Sequence, residues 1–290
     1  DLTHYQRPVS GKSEVQQNNL FYFTPAFQVK SDRFFLQTGV RPAWDNAEFY
    51  LLPSILADIT TTDQRFTFQL GWIGSFQKGS YQRFAGLNPW LVQTDTLLNT
   101  RIEERFAGFK GSVEKHFFYS AKVSLQRWRQ APLFVNDVGD GKTFELLYEP
   151  RMDVVQLHGE VEYRQGESVI LHTALTINQF KGLQQEKKPW GLIPVEWKTG
   201  IRWKITPDFS FHADLWTWSG PQYRGRDLDH YKAKGGVDLN SGVDLAITPK
   251  LKVWLQLNNL FNNRYERWHQ YPVYGFHFLG GITYQFPHQR

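Results

Sequence analysis

Ser210, His212 and Asp214 carry the three group types from which a nucleophile, a base and its orienter could be built. They lie at alternate positions of a run that alternates apolar and polar residues, Phe209-Ser-Phe-His-Ala-Asp-Leu215. On such a strand, side chains at i and i+2 stand about 6–7 Å apart. Short side chains cannot pass a proton directly over that distance. The plainer reading is a polar row on one strand face. Metal chemistry is equally thin. His158 and His172 fall on facing parities of adjacent predicted strands and could be neighbours, yet the nine histidines are otherwise dispersed. Asp137, Asp140 and Gly141 look like a fragment of a calcium loop, but the EF-hand ligand spacing is absent, so a Gly/Asp turn is the simpler reading. With no cysteine, the chain can form no disulfide, thiolate metal site or cysteine nucleophile. The expectation is a chain that is not an enzyme, with no resident metal and no cofactor.

The elements that carry these residues are alternating segments. Val155 to Tyr163 interleaves with Gln156, His158, Glu160, Glu162 and Arg164. Val195 to Ile205 interleaves with Glu196, Lys198, Arg202 and Lys204, and the final segment sets Phe276, Phe278, Ile282, Tyr284 and Phe286 against His277, Thr283 and Gln285. Period-two alternation over such lengths predicts antiparallel strands, with one apolar face and one polar face. It commonly lasts about 9–13 residues, where soluble strands average about 5–6 and a tilted membrane strand needs about 9–11. Connections alternate as well. Those near 31, 62, 115, 166, 207 and 249 are tight, while most of the others are long: 77–97, 131–150, 181–194, 220–234 and 259–273. The opening residues read as the end of a strand, and Ser10–Asn19 as a connection. Short turns at one end and long loops at the other are the asymmetry of an outer-membrane barrel.

Composition agrees. Aromatic residues make up 16% of the chain, with 11 Trp, 13 Tyr and 23 Phe, enough for the aromatic girdles of a membrane barrel. Mean hydropathy is −0.49, and no apolar run is long enough for a membrane helix. The net charge of +5 is small and scattered, which argues against nucleic acid as a partner. The fold expected is all-β: an antiparallel transmembrane β-barrel of about 14 strands. Residues 1–290 would form a single barrel domain or the C-terminal part of one. Expected lumen-lining residues are Glu160, Glu162, Arg164, Glu196, Lys198, Arg202, Lys204, His212 and Asp214. The outer loops supply ligand-binding candidates: Trp90, Tyr223, Trp268 and Tyr271 for contact area with a polar handle, and Arg224 and Arg226 for an anionic ligand or lipopolysaccharide.

Ile247-Thr-Pro-Lys-Leu251, then Leu257-Asn-Asn-Leu-Phe-Asn-Asn-Arg-Tyr265, then Gly275 to Phe286 resemble the closing strands of TonB-dependent outer-membrane receptors. In that family a Thr-Pro turn, an Asn-Leu-Phe-Asn connection and a final strand ending in aromatics follow one another. The family's arginine after the final-strand glycine is replaced by Phe276, and no plug domain is recognisable. The resemblance implies a receptor or transporter in the outer membrane of a Gram-negative bacterium, taking up a bulky ligand, with this chain either a compact barrel or part of a larger barrel of about 22 strands. Its implied partners are outer-membrane lipid, an energy-coupling protein reached through an N-terminal plug, and a surface lipoprotein or other outer-membrane subunit. A plug-less porin-like barrel, or a structural, partner-binding one, is the alternative. The Asn side chains around Leu260 and Phe261 are expected to bond local backbone where the chain leaves the sheet.

Overall fold

The computed structural model describes residues 2–9, 12–63 and 65–286. The elements are β1 (Leu2–Val9), β2 (Lys12–Tyr22), β3 (Ala26–Lys30), β4 (Phe34–Asp45), β5 (Glu48–Thr60), β6 (Phe66–Gln77), α1 (Tyr81–Leu87), β7 (Thr100–Val113), β8 (Phe117–Asn136), β9 (Phe144–Gln165) and β10 (Val169–Lys181). They continue with β11 (Val195–Lys204), β12 (Phe209–Trp218), β13 (Gln222–Arg224), β14 (His230–Lys232), β15 (Gly236–Thr248), β16 (Leu251–Asn258), β17 (Glu266–Trp268), β18 (Tyr271–Pro272) and β19 (His277–Tyr284). One 15-stranded antiparallel sheet follows chain order from β1 to β19, leaving out only two small hairpins, β13–β14 and β17–β18. Among the described residues the sheet is open between β1 and β19.

Register keeps one polar and one apolar face across the sheet. His172 lies opposite Glu162, Ala174 opposite Glu160 and Lys198, and Thr176 opposite His158 and Glu196. Beyond them Arg202 faces His212 and Gly200 faces Asp214. All nine expected lumen-lining residues therefore share one face. A slip of one residue would send every one of them to the apolar side, so the pattern pins the pairing. On the polar face, glycines accommodate large neighbours. A Cβ at Gly236 would meet the Trp218 ring at 2.2 Å, and one at Gly281 would meet Trp254 at 2.5 Å. The apolar face exposes Phe68, Leu70, Val123, Leu125, Leu175 and Ile282. Short turns gather at one end and the longer loops at the other. One tight connection at the long-loop end is the β4–β5 turn, where Asn46 takes φ 56°.

Three expectations need correction. Residues 12–19 are not a connection: they continue β2 and pair with β1, Leu2 opposite Asn19 and Val9 opposite Lys12. Ser10 and Gly11 lie outside the described residues. Below this hairpin the line of β2 is broken at Pro25, which has no N–H to give a ladder, and β3 resumes the pairing on β4. Residues 131–150 are mostly strand, because β8 and β9 extend past their neighbours as a hairpin closed at 137–143. The loop 77–97 contains α1, capped by Ser80 Oγ accepting from the Arg83 N–H at 3.2 Å. Its buried Phe84 is the reason this short helix holds.

Candidate functional site

The long-loop end is packed into a cap. Phe84 of α1, Leu91 and Leu97 of the following loop, Phe134 and Phe144 of the β8–β9 extension, and Trp268 form one buried cluster. The Trp268 ring centroid stands 5.2 Å from Phe134 and 5.3 Å from Phe144, and its Nε1 donates to the Leu87 carbonyl at 3.2 Å. At the cap surface Trp90 stacks on Tyr271 with centroids 3.7 Å apart. The β13–β14 hairpin leans across it: Tyr223 stacks on His269 at 4.0 Å, and Arg226 Nη2 donates to the Gly139 carbonyl at 2.8 Å. The six loop candidates thus converge from separate loops, but with different surroundings. Trp268 is buried packing. Trp90, Tyr271 and Tyr223 keep part of their surface, and Arg226 is exposed.

Below the cap, where it meets the polar face, lies a second group. Trp216 and Trp218 stack at 4.0 Å, and Tyr265 meets Trp218 edge-on at 4.6 Å. Tyr265 donates its hydroxyl hydrogen to Asp238 Oδ2 at 2.8 Å; burial first, and that bond second, hold its phenol well above the usual range. Trp216 Nε1 donates to Glu196 at 2.8 Å, and Lys198 pairs with Glu196 at 3.0 Å. Arg267 lies over the Trp268 ring, 4.1 Å from its centroid, and donates from Nη2 to the Gly191 carbonyl at 3.1 Å. Burial lowers its guanidinium to about 10, so it stays charged at neutral pH. Four polar atoms of the long-loop end are buried without a hydrogen-bond partner among the described residues: Arg267 Nη1, Trp218 Nε1 and Asp238 Oδ1 in this group, and Arg224 Nε on β13. Such atoms cost free energy unless something meets them. Arg267, Tyr265 and Asp238 were not among the sequence candidates. Tyr265 closes the Asn-Leu-Phe-Asn segment and could have been read from it; Arg267 carries no sequence signal.

The remaining polar-face candidates are largely paired. Arg202 bonds Asp214 at 3.1 Å, Arg164 pairs with Glu162, and His158 bonds Glu160 at 2.8 Å and Thr176 at 2.8 Å. His158 and His172 are not register partners, because the β9–β10 turn sets His172 against Glu162. Asp137 and Asp140 cap their own loop, Asp140 accepting from the backbone N–H groups of Lys142 and Thr143, and these bonds hold its carboxyl below the usual range. The Asn residues at 259 and 262 do bond local backbone: Asn259 Nδ2 donates to the Asn263 and Tyr274 carbonyls, and Asn262 Oδ1 accepts from the Phe276 N–H.

No protein-family model and no curated protein sequence matches the chain. Among solved structures it is similar to the ferric enterobactin receptor PfeA of Pseudomonas aeruginosa, with a TM-score of 0.65 and 14% identity over 95% of this chain and 46% of that one. It is similar to the FrpB iron transporter of Neisseria meningitidis, with a TM-score of 0.64 and 13% identity over 95% of this chain and 46% of that one. The copper transporter OprC gives a TM-score of 0.63 at 14% identity over 94% and 48%. These are TonB-dependent receptors, receptors and transporters rather than enzymes, and the likeness establishes the fold of their barrels. The chain spans about half the length of each structure it matches.

Proposed function

We propose that the chain is part of an outer-membrane receptor barrel of a Gram-negative bacterium that takes up a bulky, anionic, ring-bearing ligand. The observation that carries this reading is the group under the cap. Stacked Trp216 and Trp218 lie beside Glu196, whose charge reaches the largely buried Arg267, and Arg267 Nη1 together with Arg224 Nε on β13 is buried without a hydrogen-bond partner among the described residues. Planar rings give contact area, and forked N–H groups match carboxylate or other oxyanion acceptors. Trp90, Tyr223, Tyr271 and Arg226 at the cap surface would make the first contact. Polar-face residues, among them Lys198, Arg202, His212 and Asp214, would line the path inward. Energy coupling would come through a partner acting on a plug segment of the whole protein, and a surface lipoprotein or second outer-membrane subunit would dock on the loops.

Ferric enterobactin, the chelate named for one structural neighbour, is a suitable probe. Saturable quenching of tryptophan fluorescence is expected, with Arg267→Gln and Trp218→Phe each weakening it about tenfold, the scale of one lost hydrogen bond to a charged group. Quenching that neither substitution alters would remove this site from consideration. A plug-less porin or structural barrel is the second reading, favoured by the buried aromatic packing of Phe84, Phe134 and Trp268 at the long-loop end. Single-channel recording separates the two. Steady open-channel conductance through the refolded chain supports a porin, and a silent barrel that quenches with the probe supports a receptor.

A further inference from the structure

The apolar face breaks its own rule in one place. Along the parity that carries Phe68, Leu70, Ile201 and Leu255, no Asp, Glu, Lys or Arg occurs on β4, β5, β6, β11, β12, β15, β16 or β19. On β7–β10 the same parity turns charged near the long-loop end. Arg105 lies opposite Leu125, Glu103 opposite Arg127, Arg127 and Lys181 opposite Asp153, and Arg129 opposite Arg151. Cations outnumber anions here, and the anions serve to align them. Asp153 holds Arg127 Nε at 2.9 Å and Arg151 Nη2 at 3.2 Å side by side. Glu103 holds Arg105 at 3.1 Å and accepts from Trp72 Nε1 at 2.9 Å, while the Arg105 guanidinium lies 4.9 Å from the Trp72 ring centroid. The next outward carboxylate up β9, Glu149, is buried and already accepts the N–H groups of Gln184, Gln185 and Glu186.

The height of this patch has a physical meaning. Below it, Phe117–Leu125 of β8 and Val155–Tyr163 of β9 present only uncharged groups to that side, over about the length a tilted strand needs to cross hydrocarbon. An outward arginine is costly at midplane and nearly free near the interface, so the charged row marks headgroup level. The eight strands named above carry no such charges, so this is a local site and not a belt. Two concavities meet there. A basin of about 200 Å³ is lined by Arg105, Leu125, Arg127, Asp153 and Lys181. A larger, almost wholly apolar groove of about 620 Å³ runs over Ala57, Leu70, Ala107 and Val123. Arg105 and Leu125 border both. The groove exists because small Ala57 and Ala107 flank Leu70 in register.

We propose that the upper outward face of β7–β10 holds one anionic phospholipid. Its phosphate is taken by Arg105, Arg127 and Lys181, whose forked or ammonium N–H groups suit phosphate oxygens, and an acyl chain lies in the groove over Ala57 and Ala107. The alternation of charge along the basin, two carboxylates within a ring of cations, fixes the guanidiniums for a single headgroup. This inference rests on the apolar face meeting lipid. A chain that folds in water without detergent fails that premise; the competition below, done on the detergent-dependent barrel, tests the lipid site alone.

The test is native mass spectrometry of the full chain in detergent with equimolar dioleoyl phosphatidic acid and dioleoyl phosphatidylcholine. Retention of phosphatidic acid at least tenfold over phosphatidylcholine is expected. Arg105→Gln/Arg127→Gln should bring the ratio to near one, Ala107→Leu should lower phosphatidic acid retention severalfold, and Lys115→Gln at the opposite end of the same strands should change nothing. Inorganic phosphate should fail to displace the lipid, since it cannot fill the groove. Equal retention of the two lipids by the unsubstituted chain overturns the proposal, as does displacement by inorganic phosphate at matching concentration. The first of these needs no variant to fold.

Discussion

The spanning band of the sheet and the cap at its long-loop end are held by different physics. In the band, backbone ladders join each strand to its neighbours, one face is apolar and the other carries exposed ion pairs, so no side chain is individually decisive. In the cap, loops of irregular backbone are tied by a small number of buried groups: Trp268, Phe84 and Phe144 in the aromatic cluster, and Glu149, whose carboxylate accepts from three consecutive backbone N–H groups. The difference teaches where specificity is stored. A band tolerates substitution along each face but not across faces, whereas a cap depends on individual residues and on nothing periodic.

Trp268→Ala should separate the two regions most sharply. Losing a buried aromatic costs about 3–5 kcal/mol, and the Leu87 carbonyl also loses its donor. Proteolysis of the 78–99 and 259–276 loops should accelerate while the band keeps its heat-modifiable migration; loss of both together would mean the regions are not separable. In the band, Ile201→Arg puts a charge on the apolar face and should cost about 2–4 kcal/mol in a vesicle refolding equilibrium, against nearly nothing for Thr199→Ser on the same strand and face. Glu149→Ala leaves three N–H groups without an acceptor and should cost about 1–3 kcal/mol, read as faster amide exchange at residues 184–186. Lys198→Gln, breaking an exposed polar-face pair, should change stability by less than about 1 kcal/mol. The smallest effect is a titration. Burial pushes the Tyr148 phenol up to about 12, so the folded chain keeps that proton after the unfolded chain has lost it. Its contribution is whole below about pH 10 and is lost as pH rises towards 12; Tyr148→Phe should abolish that part of the high-pH slope.

The band was legible because its signal is local and repeated. Each strand states its faces through alternation, and the tight turns near 115, 166 and 207 fix the partners. Glu160, Lys198 and Asp214 could be placed on one face from parity alone. The cap was not legible because its residues are brought together across long separations. Trp268 reads as an exposed loop aromatic and is packed against Phe134, and Ser80 caps a helix too short to show a period. The Arg267 site needs loop geometry that no spacing encodes. The charged outward row was hidden differently: Arg127 and Asp153 do break the alternation of their strands, but only the register shows that the breaks adjoin.

Because the chain has no cysteine, single spin labels can be placed along β10 without background. Collision with oxygen and with a water-soluble nickel chelate should be measured in vesicles at Leu171, Leu175 and Ile177 on the apolar face, and at His172, Ala174 and Thr176 on the polar one. A lipid-facing barrel strand gives high oxygen and low nickel access at the first three positions, reversing at each polar-face position between them. Labels at Leu171, Leu175 and Ile177 shielded from both reagents would place that face in a packed protein core and contradict a membrane-spanning sheet.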